Sequence, residues 1–183
     1  MANSEKLAVF IDGSSLYYAA KALGFDIDFR RLLMEFSTRG FLVRAYYYTT
    51  IPDGDEFQAM RPLIDWLDYN GYAVRAKPAK EYEDGEGRRK IKRNIAVELA
   101  VDAIEVAKHV DRVLLFTGDG DFRVLVQAIQ RSGVHVTVVS TLRTKPPMLS
   151  DELRRQADEF IELEDLRTSI GRAVPTMRTR EAV

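Results

Sequence analysis

The chain has no cysteine among its 183 residues and only two histidines, His109 and His135. Disulfides, thiolate nucleophiles and cysteine-held zinc or iron–sulfur clusters are therefore excluded, a pattern that suits a reducing compartment. The two histidines have no partner at ligand spacing and read as structural, so a metal would rest on oxygen. Long apolar runs are also missing. Nothing approaches the roughly 18 to 20 residues that span a bilayer, and the N-terminus lacks a basic segment followed by an apolar one. The expected location is cytoplasmic, without membrane contact. Charge of one sign is scarce too: 27 basic residues against 28 acidic ones leave a net −1. A nucleic-acid partner would have to be met by a local patch, because the surface as a whole carries no excess of positive charge.

What is present fits one well-cored globular unit, with 46% hydrophobic and 30% charged residues. Residues 1–168 read as that domain. Residues 169–183 lose apolar periodicity and read as a flexible tail.

Strand-like and helix-like segments alternate along the domain. Strands are expected at 7–11, 41–49, 72–76, 112–116 and 134–139, with an edge strand near 160–163. Helices are expected at 16–23, stopped by Gly24, and after the cap Asp28 until Gly40. A turn at Pro52, Asp53, Gly54 and Asp55 precedes a helix whose apolar positions Phe57, Met60, Leu63, Ile64 and Leu67 recur at helical spacing until Asn70-Gly71. Asn94 is expected to cap a helix reaching Lys108, another helix runs over 121–131, and a short one opens at Ser150. Strands separated by helices imply right-handed crossovers and a three-layer α/β/α sandwich around a mostly parallel sheet.

Two strand ends carry chemistry. The apolar run ending at Ile11 gives way to Asp12-Gly13-Ser14-Ser15, and the run ending at Phe116 gives way to Thr117-Gly118-Asp119-Gly120-Asp121. In an open parallel sheet the functional crevice lies beyond the carboxyl ends of the strands. If these two strands are neighbours, Asp12, Asp119 and Asp121 can converge, and hard oxygen ligands of this kind suit Mg²⁺ or Mn²⁺. A plain structural reading stands beside this one, since aspartate is a common turn residue and Asp121 can cap the helix that follows.

A basic run, Arg88, Arg89, Lys90, Lys92 and Arg93, lies just before a helix start, with Arg75, Lys77 and Lys80 upstream. It reads either as a solvated charged loop or, beside the acidic junctions, as a phosphate-binding segment for nucleic acid. Tyr46, Tyr47 and Tyr48 alternate across a strand and read as core or rim residues, while Tyr17 and Tyr18 are better placed to line a substrate groove. Trp66 reads as core. The glycine loops match neither a dinucleotide fingerprint nor a phosphate-binding P-loop.

The ordered set of residues 9–17 (VFIDGSSLY), 92–102 (KRNIAVELAVD) and 117–122 (TGDGDF) resembles the NYN family, in its LabA-like (DUF88) branch. The resemblance implies a PIN-like fold and an acidic, Mg²⁺- or Mn²⁺-binding pocket that hydrolyses RNA phosphodiester bonds. Carried over, Asp12, Asp119 and Asp121 would be metal-site carboxylates, Thr117 and Ser15 supporting hydroxyls, Lys92 a phosphate contact and Asp102 a more distant support. Ser14 and Ser15 stand where the family usually has asparagine. Ala96 stands where it has an acid, and alanine can neither coordinate a cation nor orient water. The expectation is thus an RNA endonuclease scaffold whose turnover in this chain is weakened or lost. A non-catalytic RNA-binding or regulatory protein is the alternative, and a metal-dependent phosphatase or nucleotidase the second alternative. RNA is the expected partner, and a homo-oligomer is compatible with each reading.

Overall fold

A computed structural model describes residues 4–51, 55–83, 85–87, 89–92 and 95–173. In chain order the elements are β1 (Lys6–Asp12), α1 (Gly13–Leu23), α2 (Phe29–Arg39), β2 (Phe41–Ile51), α3 (Asp55–Tyr69), β3 (Tyr72–Pro78), β4 (Lys80–Glu83), β5 (Arg89–Lys92), α4 (Ala96–Ala107), β6 (Arg112–Phe116), α5 (Arg123–Gln130), β7 (His135–Ser140), α6 (Asp151–Gln156), β8 (Glu159–Glu162) and α7 (Arg167–Ile170).

The main sheet has the order β3-β2-β1-β6-β7-β8, and every neighbouring pair is parallel. The chain lays strands outward from β1 on one side, then returns and builds outward on the other, so the strand order reverses between β1 and β6. Strand alternation explains the layers. Leu7, Val9 and Ile11 of β1 join a core with α1, α2, α3 and α7, whereas Ala8 and Phe10 join a second core with α4, α5 and α6. This is the three-layer α/β/α sandwich expected from the alternating pattern. Each fully buried large apolar side chain contributes roughly 1.5–3 kcal/mol, and Val9, Phe10, Ile11, Val113 and Leu115 are all completely enclosed. Their continuous apolar runs follow from helices covering both faces.

Helix ends obey local chemistry. Asp28 caps α2 by accepting from the Arg30 and Arg31 N–H groups, Ser150 caps α6, and Gly24 ends α1 in the left-handed conformation at φ 80°. The expected helix over 121–131 is instead a 3₁₀ turn, Gly120–Phe122, followed by α5, because Asp119 accepts the Asp121 N–H and tightens the first turn. Asn94 and the turn residues 52–54 lie outside the described residues. Ile95, which makes no side-chain capping bond, occupies the cap position of α4.

The charged stretch, for which the sequence shows no strand pattern, contains a two-stranded antiparallel ladder, β4 with β5, pairing Lys80 with Lys92 and Glu83 with Arg89. At the other end, the packed chain continues past Ser169. Ile170 is fully buried, its carbonyl accepts the Asp28 N–H at 2.8 Å, and the Arg172 N–H donates to Asp26 at 2.8 Å. Residues 174–183 lie outside the described residues.

Candidate active site

Asp12 ends β1 and caps α1. Its Oδ1 accepts the N–H groups of Ser14 and Ser15, both at 3.2 Å, and its Oδ2 accepts the Ser15 hydroxyl at 2.6 Å. Only 9% of the residue is exposed, so the carboxylate is held by the helix terminus that it caps. Gly13 follows because space requires it: a Cβ there would lie 2.6 Å from the Tyr47 hydroxyl and 2.8 Å from the Tyr48 carbonyl.

Parallel pairing of β1 with β6 brings the second acidic junction alongside. Ile11 is opposite Phe116, so Asp12 and Thr117 leave the sheet together. Thr117 is buried, and its Oγ1 lies 3.5 Å from Asp12 Oδ2 and 3.4 Å from Ser15 Oγ. Ser15 gives its proton to Asp12, so its oxygen is free to accept the Thr117 proton. Thr117 Oγ1 in turn accepts the Asp119 N–H at 3.3 Å. The hydroxyls of Ser15 and Thr117 therefore link one acidic junction to the other. Gly118 packs against the Met148 carbonyl so closely that any Cβ would collide with backbone, and its own carbonyl accepts the Ser150 N–H at 2.9 Å. A cavity of about 210 Å³ opens here, lined by Ser15, Gly118, Asp119, Ser140 and Met148.

Asp119 and Asp121 are exposed. Asp119 Oδ1 accepts the Asp121 N–H at 2.9 Å, which is the capping role that the plain reading had given to Asp121 itself. Among the described residues no three Asp, Glu, His or Cys side chains gather as a metal-ligand group. The physical reason is local: Asp12 and Asp119 each close their own turn, and Ala96 brings no oxygen. The donors that do stand together are the Asp12 carboxylate and the Ser15 and Thr117 hydroxyls. They suit a hard cation that keeps bound water and completes its shell with substrate phosphate; a closed protein cage would need more carboxylates.

Ala96 lies at the same end and on the same face as Asp12. Asp12 continues the β1 series of Ala8 and Phe10, whose face α4 covers, and Ala96 packs against that same core. Because α4 leads into the start of β6, its first residue sits at the carboxyl end of the sheet. Asp102, two turns further along α4, is remote from the acidic junctions in its contacts: it accepts from the Tyr48 hydroxyl at 2.8 Å and from Arg75 Nε at 3.2 Å. Burial, then the hydrogen bond to Asp102, pushes the Tyr48 phenol far above its ordinary range. Lys77 pairs with Glu98. Arg75 and Lys77, which the sequence groups with the basic run, thus face acids of α4.

Arg89, Lys90 and Lys92 belong to β5, while Arg88 and Arg93 lie outside the described residues. Both histidines are exposed, and His135 opens β7 at the opposite end of the sheet from Asp12. Tyr17 and Tyr18, at 55% and 54% exposure, stand on α1 beside Gly13. Ser140 was not singled out by sequence reasoning. A serine ending an apolar strand next to the acidic junction was the available signal.

Residues 6–164 match the model of the NYN domain. The low amplitude and bright protein LabA of Synechococcus elongatus is 37% identical over 169 residues, spanning 90% of this chain and 87% of LabA. A crystal structure of a Vibrio parahaemolyticus protein of unknown function has a TM-score of 0.76 at 29% identity, covering 94% of this chain and 99% of that one. No helix among the described residues is long and apolar enough to cross a membrane. With the family match running from the first strand through the last, the chain belongs to the NYN domain family, whose members are generally nuclease-like.

Proposed function

We propose that this chain is a metal-dependent ribonuclease, an endonuclease acting on RNA phosphodiester bonds in the crevice between β1 and β6. The observation that carries the reading is the buried Asp12 carboxylate at the strand-order reversal, joined through Ser15 and Thr117 to the Asp119 turn. Asp12 and Asp119 would hold Mg²⁺ or Mn²⁺, with Asp121 beside them. When bound, the cation supplies charge stabilisation at the phosphate and a more acidic attacking water. Ser15 keeps the Asp12 carboxylate in one orientation, and Thr117 fixes the path of the loop that carries Asp119. The basic strand β5, with Arg89, Lys90 and Lys92, supplies counter-charge for the RNA backbone, as the adjoining Arg88 and Arg93 do in sequence.

The test is cleavage of labelled single-stranded and hairpin RNA with Mn²⁺ or Mg²⁺. Cleavage should stop in EDTA and fall below detection in Asp12→Asn and Asp119→Asn. Cleavage indifferent to chelation and to both substitutions would remove the proposal.

Ala96 favours a second reading, an RNA-binding protein on the same scaffold without turnover. That protein would keep its RNA affinity in EDTA and cleave nothing, while neutralising Lys90 and Lys92 would weaken binding and flatten its salt dependence.

A further inference from the structure

Beyond Gly13, on the face of the sheet turned away from α4, two cavities of about 410 Å³ and 340 Å³ share Gly13, Tyr17, Tyr47 and Leu63. Each is within the size range of small-molecule sites. The larger is walled by Tyr17 and Tyr18 of α1 and by Ala59 of α3, and reaches Thr50 at the end of β2. Tyr17 and Tyr18 meet edge to face, with centroids 5.3 Å apart at 72°, yet more than half of each remains exposed. Tyr47 forms the floor. It is 5% exposed, its hydroxyl sits directly over Gly13, and that hydroxyl makes no hydrogen bond among the described residues. The ring is enclosed while the hydroxyl opens on the cavities, where water or the polar edge of a ligand can reach it. Lys21 lies 3.4 Å from the Tyr17 hydroxyl, and the adjoining cavity is lined by Lys21 and Arg172 against one carboxylate, Asp26, which leaves it an excess of positive charge.

We propose that this trough is a nucleobase pocket, taking one base of the RNA strand beside the bond to be cut, stacked on Tyr17 with its polar edge toward Tyr47 and Thr50. The assignment rests on the ribonuclease reading for its substrate class. Chemistry favours a base over an aliphatic ligand: the wall is aromatic, the floor ends in hydroxyls, and the next cavity offers cations for a phosphate. Contiguity favours RNA over a free nucleotide, because Gly13 and Ser14 line the pocket immediately after Asp12.

The test is an abasic scan. A short fluorescent single-stranded RNA, and versions lacking one base at each position in turn, are titrated onto the full chain in EDTA. One position should stand out, its loss weakening binding about 5- to 100-fold, the range for a single base–aromatic stack. Tyr17→Ala, and the pocket-filling Ala59→Trp on an exposed helix surface, should each abolish that position dependence while circular dichroism stays native. A flat profile in the unsubstituted chain, an unchanged profile in both pocket variants, or no RNA binding at all overturns the pocket. Cleavage with a flat profile would sink the pocket and leave the nuclease standing; a peaked profile without cleavage would do the reverse.

Discussion

The Tyr48 hydroxyl and the Asp102 carboxylate, 54 residues apart, meet at 2.8 Å and tie the C-terminal part of β2 to the middle of α4. Arg75 shares the same carboxylate oxygen from β3. Tyr48→Phe should therefore lower stability by about 1 kcal/mol, the net value of one hydrogen bond, because Asp102 keeps Arg75 and partial solvent access. Urea denaturation measures this, and an unchanged midpoint would assign the contact to Arg75 alone.

Alkaline pH should unfold the protein through its buried phenols. Burial first, and the nearby Asp12 second, push Tyr47 from 10.0 up to about 12. Burial also raises Tyr48 and Tyr72. The folded chain therefore retains protons that the unfolded chain releases. The stability contribution of Tyr47 is complete below about pH 10 and is lost as pH rises toward about 12. Tyr47→Phe should flatten the slope of unfolding free energy against pH in that window.

Asp12 has two separable roles. Asp12→Asn keeps an oxygen that can accept the Ser14 and Ser15 N–H groups but replaces the acceptor of the Ser15 hydroxyl by an amide N–H, so stability should fall by about 0.5–1.5 kcal/mol, one net hydrogen bond, while metal-dependent cleavage disappears. Asp12→Ala removes the cap and strands the Ser15 and Thr117 hydroxyls, costing about 1–3 kcal/mol. Paired melting and RNA assays on the two variants distinguish charge from capping. Loss of activity only in the alanine variant would reduce Asp12 to a structural residue.

Ala96→Asp places a carboxylate at the first turn of α4, on the face and at the end where Asp12 stands. An acid there also suits the helix dipole, so folding should be unharmed. The variant should bind Mn²⁺ more tightly in calorimetry and cleave labelled RNA faster. Equal behaviour of both proteins would separate position 96 from the chemistry.

Much of this was legible in the residues. The apolar runs ending at Ile11 and Phe116 could be matched as neighbours only by hypothesis, yet parallel pairing puts them side by side and carries Asp12 to Thr117. Capping by Asp28 and Ser150 also followed from local chemistry alone. The β4–β5 ladder was not visible, because its charged residues show no apolar alternation and its pairing comes from backbone bonds without an apolar stripe to advertise it. The partners of Arg75 and Lys77 were hidden for a related reason. Charge runs do not reveal their partners, and Asp102 and Glu98 reach them only across the sheet–helix interface.

Among the described residues the β4–β5 ribbon shares no ladder with the six-stranded sheet. It can therefore lengthen, shorten or exchange charges without shifting the register that holds Asp12 against Thr117. The ribbon is thus a segment that relatives could vary, or an engineer could exchange, with the strand junctions of the main sheet left as they are.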